Sequence, residues 1–372
     1  MRRRTFLAKA SAFSLISCGP QTGMIGQPSA DLGTLSGLDI KGFTLSSWGT
    51  QGLSQKADIT EMLNYFEGCG SNTVQLNVQV NLDKQGNWVG FNNEGNRHAE
   101  LNDLAARMNE ISKRKMKLIL KPTFASAGRA ALRYEYQNSG FENQLTVALK
   151  DYIQTLDREI DINKFKMIVL PGELTAIDGG DQGRNIFGPM IEKIRSAFGG
   201  DLTYHPGLYS HDGSFHPKKI MFWDLLDFVS VSFYPRIHVG MEDSLSISQE
   251  QARNSVRIKR DFKNLINLSN KVSKKIYLAE CGYPSHKFGL NLVNGWDPEK
   301  WGSRVDAVQA VGLDALFHNI SKNAASFEGF SLWGHHGGTL QQKRLKHPNY
   351  EIEFATIGKQ QSTEIIKNYL VI

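Results

Sequence analysis

Two glutamates that follow apolar, strand-like runs are the first candidates for chemistry in this sequence. Glu173 comes shortly after the run MIVL at 167–170, and Glu280 directly follows IYLA at 276–279. A charged carboxylate at the end of a buried strand is costly unless it is paired or functional. A structural ion pair would explain one such residue, whereas two of them favour a functional pair. We therefore take both glutamates as candidate catalytic residues.

Paired carboxylates that face each other across a cleft are the groups that glycoside hydrolysis requires. One is protonated and donates to the departing sugar oxygen, while the other is ionised and attacks the anomeric carbon or activates water. Tyr234, at the end of another strand-like run, would donate a hydrogen bond to the nucleophilic carboxylate. Such a bond fixes the rotamer of the carboxylate and keeps its pKa low.

Aromatic and polar residues at the ends of the other runs would bind the sugar. Aromatic rings stack on the apolar faces of pyranose rings, and Trp333 would form the floor of the subsite at the bond to be cleaved. Trp296 would line an outer subsite of an open cleft, as expected of an endo-acting enzyme, or only anchor its loop by packing. The remaining candidates for substrate binding are Trp48, Asn77, Lys121, Tyr204, His205 and His335.

Short β-rich runs alternate with amphipathic helical patterns along most of the chain, and these elements must position the candidate residues. The strand-like runs are 42–48, 72–78, 118–122, 167–170, 202–204, 228–234, 276–280 and 330–333. The helical patterns are 58–68, 101–111, 145–156, 186–198, 249–271, 307–321 and 363–370. This alternation predicts an α/β fold, a (β/α)8 or TIM barrel of about 330 residues with a single catalytic domain and its active face at the strand C-termini. The link between the fifth and sixth runs, which is short of helix, is the weakest part of this prediction.

The first residues are typical of an export signal. Residues 1–17 combine a positive n-region containing an arginine pair of the twin-arginine type, a short apolar stretch and small residues. The run LISC at 15–18 resembles the bacterial lipobox, in which the cysteine becomes lipidated; otherwise Cys18 is a chance cysteine after a plain signal peptide. We thus expect a signal peptide at 1–17, a flexible tether at 18–38 and the barrel at 39–372. The protein would be exported and lipid-anchored to the bacterial outer membrane or cell surface, or else periplasmic or secreted.

Composition excludes two broad classes of protein. The net charge of +6 comes largely from four basic residues within the first 17, and the remaining charge is spread evenly along the chain. A nucleic-acid-binding protein would need a clustered basic stripe, so we expect no nucleic-acid partner. With 40% hydrophobic and 22% charged residues, the chain is also too apolar for a disordered protein. The expected partners are a polysaccharide or oligosaccharide substrate, and a membrane through the lipid anchor only.

Other chemistries have less support in the residue pattern. His335 and His336 are adjacent and on an extended segment point to opposite sides, so we expect no metal site, and no cofactor is needed. Lys121 would form a Schiff base in an aldolase, but it precedes Pro122 and no phosphate-binding turn follows the seventh or eighth run. Cys281 has no indicated histidine partner, so a buried thiol is expected.

Two pairs of polar residues in the loops have only weak indications of a role. Asp178 and Asp181, shortly after the fourth run, would bind hydroxyl groups or cap the next helix. His211 and His216 lie in a loop rich in glycine and serine, where we expect them to be solvated.

The order of these residues is similar to that of a known group of enzymes. Acids after the fourth and seventh runs, a tyrosine after the sixth and a tryptophan after the eighth resemble the clan of retaining glycosidases with (β/α)8 barrels. More narrowly, the sequence resembles glycoside hydrolase family 113, typified by endo-β-1,4-mannanases. The likeness covers most of 40–370 and implies Glu173 as general acid/base, Glu280 as nucleophile and net retention. The motifs that carry it are LILKP at 118–122, GEL at 172–174, LTY at 202–204, AECGY at 279–283 and FATIGK at 354–359.

One position departs from the clan pattern. Many members have an asparagine directly before the acid/base residue, where it contacts the 2-hydroxyl of the sugar, but here that residue is Gly172. The contact would then come from Asn77 or His205, or be absent. The resemblance implies a retaining glycoside hydrolase that cleaves a β-linked polysaccharide or oligosaccharide, with β-mannan as the first choice. The alternatives are a non-catalytic glycan-binding surface lipoprotein and a transglycosylase that acts on cell-surface glycan.

Overall fold

Strands and helices alternate along the part of the chain that the computed structural model describes, which comprises residues 33–46, 56–82, 88–90, 97–125, 141–175, 177–210, 212–237, 244–291, 304–336 and 354–371. The strands are β1 Ile40–Ser46, β2 Thr73–Leu82, β3 Trp88–Gly90, β4 Lys117–Ala125, β5 Met167–Leu170, β6 Asp201–Tyr204, β7 Val229–Phe233, β8 Ile276–Cys281 and β9 Phe327–His336. The α-helices are α1 Lys56–Gly68, α2 Arg97–Ser112, α3 Phe141–Ile160, α4 Gly180–Arg195, α5 Gln249–Arg253, α6 Val256–Val272, α7 Asp306–Lys322 and α8 Gln360–Leu370.

Eight of the strands form a nearly closed parallel barrel. Their order is β6-β5-β4-β2-β1-β9-β8-β7, and each neighbouring pair along this path is parallel. The end strands β6 and β7 meet through a parallel bridge between Gly207 and Ser232, and through the Asp227 N–H, which donates to the Leu202 carbonyl at 2.8 Å. The predicted (β/α)8 barrel is therefore confirmed.

The barrel interior is filled in layers, because side chains along a strand alternate between its two faces. An apolar cluster is formed by residues of β1, β4, β5 and β8, namely Ile40, Ile119, Met167, Val169, Tyr277 and Ala279. Next to it lies a polar layer in which the Tyr277 hydroxyl donates to Gln75 Oε1 at 2.7 Å, and Gln75 Nε2 donates to the Ala279 carbonyl at 2.9 Å. The interior is thus a packed core on which the residues at the C-terminal ends of the strands rest.

The structure differs from the sequence prediction in two places and agrees with it in a third. Strand β3 pairs antiparallel with the end of β2, where only a loop was expected. The helix expected over 249–271 is two helices, because Ser255 has an extended backbone and its hydroxyl donates to the Ile237 carbonyl at 2.6 Å. Between β6 and β7 the described residues form only the short 3-10 helices His216–Lys219 and Trp223–Leu225, which agrees with the expected shortage of helix there.

The N-terminal prediction falls largely on residues outside the described ranges, which include 1–32 and with them Cys18. Leu35 and Leu38, which belong to the predicted tether, are buried, and the Leu35 N–H donates to the Tyr369 carbonyl at 3.0 Å. Among the described residues, the structure has no helix of the length and apolar character that crossing a membrane demands. The signal peptide and the lipidation of Cys18 remain predictions.

Candidate active site

A bulge in β8 turns Glu280 toward the interior of the barrel. Tyr277 and Ala279 both pack in the interior cluster, so strict alternation would point the next side chain outward. The ladder between β7 and β8 passes from Leu278 directly to Glu280, leaving Ala279 without an opposite residue. A bulge of this kind re-aims the side chains that follow it, and it places the Glu280 carboxylate against β4.

Both oxygens of the Glu280 carboxylate are hydrogen-bonded. The ammonium of Lys121, on β4, donates to Oε1 at 2.5 Å, and the hydroxyl of Tyr234, just after β7, donates to Oε2 at 3.1 Å. The Tyr234 contact is the one that the sequence analysis expected for a nucleophilic carboxylate. The lysine contact was not expected, and these two partners hold the carboxylate in a single orientation.

The surroundings of Glu280 act on its pKa in opposite directions. Burial raises the pKa of Glu280, the ammonium of Lys121 opposes this rise, and the charge of Glu173 adds to it. The net result is a pKa of Glu280 above its usual value. Burial also raises the pKa of Tyr234 well above its usual value, which keeps this hydroxyl protonated as a donor.

Lys121 lies inside the barrel, with only 1% of its surface exposed. It follows the interior residue Ile119 by two positions, so the alternation of β4 points both side chains inward. Its ammonium lies over the ring of the partly exposed Trp333, 5.4 Å from the ring centroid. This burial does not support the prediction that Lys121 binds sugar. The sequence signal for its contact with another charged residue inside the barrel is its position two residues after the inward-facing Ile119.

Glu173 sits on a strained turn directly after β5. Its backbone has a φ of 59°, a conformation that is uncommon for residues other than glycine, and its N–H donates to the His205 carbonyl at 3.0 Å. A Cβ at Gly172 would lie 2.0 Å from that same carbonyl oxygen. The asparagine of the clan pattern therefore has no room in this backbone. Unlike the buried Glu280, Glu173 is partly exposed.

His205 and Asn77 lie near the two glutamates and are both buried. Nδ1 of His205 is 3.1 Å from the Ser232 hydroxyl, and Nε2 has no hydrogen-bond partner in the described part of the chain. Burial, together with the Lys121 ammonium, holds the pKa of His205 well below its usual value. The side chain of Asn77 accepts a hydrogen bond from the Thr123 hydroxyl at 2.7 Å, and Asn77 is paired with Lys121 in the ladder between β2 and β4.

Tyr204 is not placed where a sugar could reach it. Its side chain has no exposed surface and packs against Phe187 and Phe222 on the outer side of β6. Its hydroxyl donates to Asp178 Oδ2 at 2.6 Å, and Oδ1 of the same carboxylate lies 2.7 Å from Nε2 of His216. His216, expected to be solvated, is thus a buried partner of Asp178, and the prediction of its exposure was wrong.

His335 is also fully buried. Its ring packs edge-on against Phe43 and Phe66, and its Nε2 accepts a hydrogen bond from the Thr356 N–H at 3.1 Å. Because it has no exposed surface, His335 cannot contact a sugar in this structure. Its environment instead indicates a packing role between β9 and α1.

Trp48, His211 and Trp296, which were named from the sequence, lie outside the described residues. Within the described ranges, no group of three or more histidine, cysteine, aspartate or glutamate side chains is arranged to hold a metal ion. Cys281 is buried, as expected, and burial raises the pKa of its thiol well above the usual value.

A match to a family model shows which family this chain belongs to. The model described as Glycoside Hydrolase Family 113 matches residues 43–359, which include both glutamates and all eight barrel strands except for the start of the first. The chain belongs to this family. It is therefore a glycoside hydrolase, as the paired carboxylates and the family resemblance predicted. None of the curated proteins matches this GH113 chain in sequence.

Solved structures similar to this GH113 chain have the same fold at low sequence identity. A GH113 β-1,4-mannanase complex has a TM-score of 0.68 and 19% identity, with 90% of this chain and 99% of that chain covered. The GH113 β-mannanase AaManA from Alicyclobacillus acidocaldarius has a TM-score of 0.63 and 18% identity, covering 91% and 98%. The hyperthermostable endo-1,4-β-D-mannanase from Thermotoga petrophila has a TM-score of 0.59 and 11% identity, covering 89% and 99%.

Proposed function

We propose that this GH113 enzyme is a retaining endo-β-mannanase in which Glu280 is the nucleophile and Glu173 the general acid/base. The observation that carries this proposal is the pair of hydrogen bonds on Glu280, from Lys121 to Oε1 and from Tyr234 to Oε2. They orient the carboxylate and favour its ionised form, as a nucleophile requires. Glu173 is partly exposed on the turn after β5, which suits a group that exchanges protons with sugar and water.

The first chemical step would form a covalent glycosyl-enzyme. A carboxylate oxygen of Glu280 forms a bond to the anomeric carbon while the bond from that carbon to the leaving oxygen breaks. The electron pair of the broken bond remains on the leaving oxygen, which takes the proton from Glu173. Glu173 ends this step as a carboxylate, and Glu280 ends it as a neutral ester.

The second step would reverse these roles with water as the acceptor. Glu173, now ionised, removes a proton from a water molecule as the water oxygen bonds to the anomeric carbon. The ester bond to Glu280 breaks, and its electron pair returns to the carboxylate. Two inversions at the same carbon give net retention, and both carboxyl groups return to their starting protonation states.

The choice of substrate rests on the relatives. Three solved structures that share this fold are described as mannanases, and two of those belong to the same family. Trp333, partly exposed beside the Lys121 ammonium, is suited to stack on a sugar ring. We extend the proposal to an exported lipoprotein anchored through Cys18, on the basis of the run LISC at 15–18.

The proposal is tested by measuring sugar release from a panel of β-linked polysaccharides, including mannan, glucomannan, glucan and xylan. Wild type should cleave β-mannan, and Glu173→Ala and Glu280→Ala should each lose at least ~100-fold in rate. Proton NMR of the first product should show the β-anomer. An initial α-product would overturn retention, products longer than the substrate would indicate transglycosylation, and binding without cleavage would indicate a glycan-binding protein.

A further inference from the structure

The turn that carries Glu173 rests on His205, the first residue after β6. The Glu173 N–H donates to the His205 carbonyl at 3.0 Å. Gly172 lies so close to His205 that an added Cβ would be 2.0 Å from this carbonyl oxygen and 2.8 Å from Cδ2 of the ring. The backbone of Glu173 has a φ of 59°, a conformation that persists only where the surroundings impose it. Both the backbone and the ring of His205 belong to those surroundings.

The ring of His205 is bonded to the strand beside the other glutamate. Its Nδ1 is 3.1 Å from the Ser232 hydroxyl, and its Nε2 has no hydrogen-bond partner in the described ranges. Ser232 lies on β7, and its N–H donates to the Pro206 carbonyl at 3.0 Å. In the ladder between β7 and β8, Ser232 is paired with Glu280. A chain of direct contacts therefore leads from the turn of Glu173, through His205 and Ser232, to the strand of Glu280.

His205 is too deeply buried to bind the sugar itself. Only 2% of its surface is exposed, and its Nε2 is buried. From the sequence, His205 is a candidate for the sugar contact that an asparagine at position 172 would make, and this burial does not support that prediction. Its contacts with the turn and with β7 instead indicate an effect on the placement of Glu173.

We propose that His205 is a positioning residue that holds the turn of Glu173 in place relative to Glu280 by linking it to Ser232. The inference rests on the proposed function and adds to it a residue outside the carboxylate pair. A retaining enzyme needs its two carboxyl groups ~5–5.5 Å apart, so a turn displaced by ~1 Å would hold the acid away from the leaving oxygen. His205 touches neither the sugar nor the reacting atoms, and it exchanges no proton in either step.

The test is the dependence of kcat/KM on the leaving group, because this dependence reports acid catalysis in the first step. A dinitrophenyl β-mannobioside needs little protonation of its leaving oxygen, whereas the phenyl β-mannobioside depends on it. His205→Leu removes the bond to Ser232 and should lower kcat/KM by at least ~10-fold on the phenyl substrate but by less than ~3-fold on the dinitrophenyl substrate. A loss by the same factor on both substrates would overturn the proposal.

Two milder variants examine the same bond. In His205→Asn the side-chain amide nitrogen takes the place of Nδ1, so most of the loss on the phenyl substrate should be recovered. Ser232→Ala removes only the hydroxyl that meets the ring, and it should show the selective loss even if the leucine variant does not fold. No recovery in folded His205→Asn, or an unchanged ratio of the two substrates in Ser232→Ala, would overturn the proposal.

Gly172→Ala disturbs the turn from its other side. Its Cβ would force the turn away from the His205 carbonyl, so the phenyl substrate should again lose at least ~10-fold in kcat/KM. Gly329→Ala is the matched control, because its Cβ would lie 1.9 Å from the Ile40 carbonyl oxygen, near the N-terminal ends of β1 and β9. This control should lose stability but keep the wild-type ratio of the two substrates. A wild-type ratio in Gly172→Ala, or a changed ratio in folded Gly329→Ala, would overturn the proposal.

Failure of the proposed function would have a different appearance. Wild type would then cleave neither aryl mannobioside, or Glu173→Ala would lose the same factor on both substrates. If instead Glu173→Ala loses far more on the phenyl substrate while the His205 and Gly172 variants do not, Glu173 remains the acid/base and only the positioning role of His205 is wrong.

Discussion

Glu280 and Asp178 are two buried carboxylates with similar partners and different surroundings. Each accepts a hydrogen bond from a tyrosine, Tyr234 for Glu280 and Tyr204 for Asp178. The other oxygen of Glu280 bonds to an ammonium inside the barrel, whereas that of Asp178 bonds to the imidazole of His216. Glu280 keeps 8% of its surface exposed, but Asp178 keeps none.

The difference means that hydrogen-bonded burial alone cannot identify the carboxylate that we propose as the nucleophile. The bonds of Asp178 join the loop after β5 to β6 and to the 3-10 helix that contains His216, so they stabilise the path of the chain. Glu280 lies at the mouth of the barrel, near a second carboxylate whose charge acts on it. An opening to solvent and a second acid nearby distinguish the carboxylate proposed as the nucleophile from the one that stabilises the fold.

The largest difference between Glu280 and Asp178 should appear when each carboxylate is replaced by its neutral amide. Glu280→Gln removes the proposed nucleophile, and we expect kcat on mannan to fall by at least ~1000-fold. Asp178→Asn leaves the reacting groups in place but removes a charged acceptor from a buried network, which should cost ~2–3 kcal/mol of unfolding free energy. Activity per folded molecule in Asp178→Asn should stay within ~3-fold of wild type.

These two variants are compared by measuring kcat with correction for the folded fraction, together with urea unfolding. A drop of ~1000-fold in kcat for folded Asp178→Asn would make that carboxylate part of the catalytic machinery and remove the distinction. Retention of wild-type kcat by Glu280→Gln would exclude it as nucleophile.

The sequence alone is sufficient to predict the fold, because the alternation of β-rich and helical runs extends over the whole barrel. Each run also ends near the residue where the structure ends its strand, which is why both glutamates could be recognised. The bulge in β8 has no such signature, since a single unpaired residue such as Ala279 leaves no mark in the sequence. The contact between Glu280 and Lys121 joins residues 159 positions apart and depends on that bulge.

The residue predictions that the structure does not support have a related cause. Tyr204 and His335 lie at strand ends, as Tyr234 does. The position of a residue in a strand-like run does not show whether its side chain points into or out of the barrel at the open end. Asp178 and His216 are 38 residues apart in the sequence, and a contact between the segments after β5 and after β6 brings them together. Gly172 was recognised as a departure from the clan pattern, but its cause, the close His205 carbonyl, is a tertiary contact.

A smaller difference is expected between the tyrosines that donate to these carboxylates, Tyr234 and Tyr204. Tyr234→Phe removes the donor to Glu280 Oε2 and should lower kcat by ~10–100-fold, because the proposed nucleophile loses one of the two bonds that orient it. Tyr204→Phe removes the donor to Asp178 Oδ2 and should cost ~1–2 kcal/mol of stability with kcat within ~3-fold of wild type. Both substitutions delete one hydroxyl, so each is the control for the other. If both variants lost mainly activity, or both lost mainly stability, the expected difference between the two tyrosines would be contradicted.

Stability should also depend on pH, because two described histidines lie near cations rather than near carboxylates. Burial and Lys121 hold the pKa of His205 well below its usual value of 6.5, and burial with Lys359 lowers the pKa of His286 to about 4. Below about pH 6.5 the unfolded chain therefore takes up protons that the folded chain does not, and the unfolding free energy falls with pH. Each such histidine adds a slope of up to ~1.4 kcal/mol per pH unit, and for His286 this slope ends near pH 4. Urea unfolding between pH 7.5 and 5 should show a shallower decline in His205→Gln than in wild type, and parallel slopes would show that His205 does not contribute.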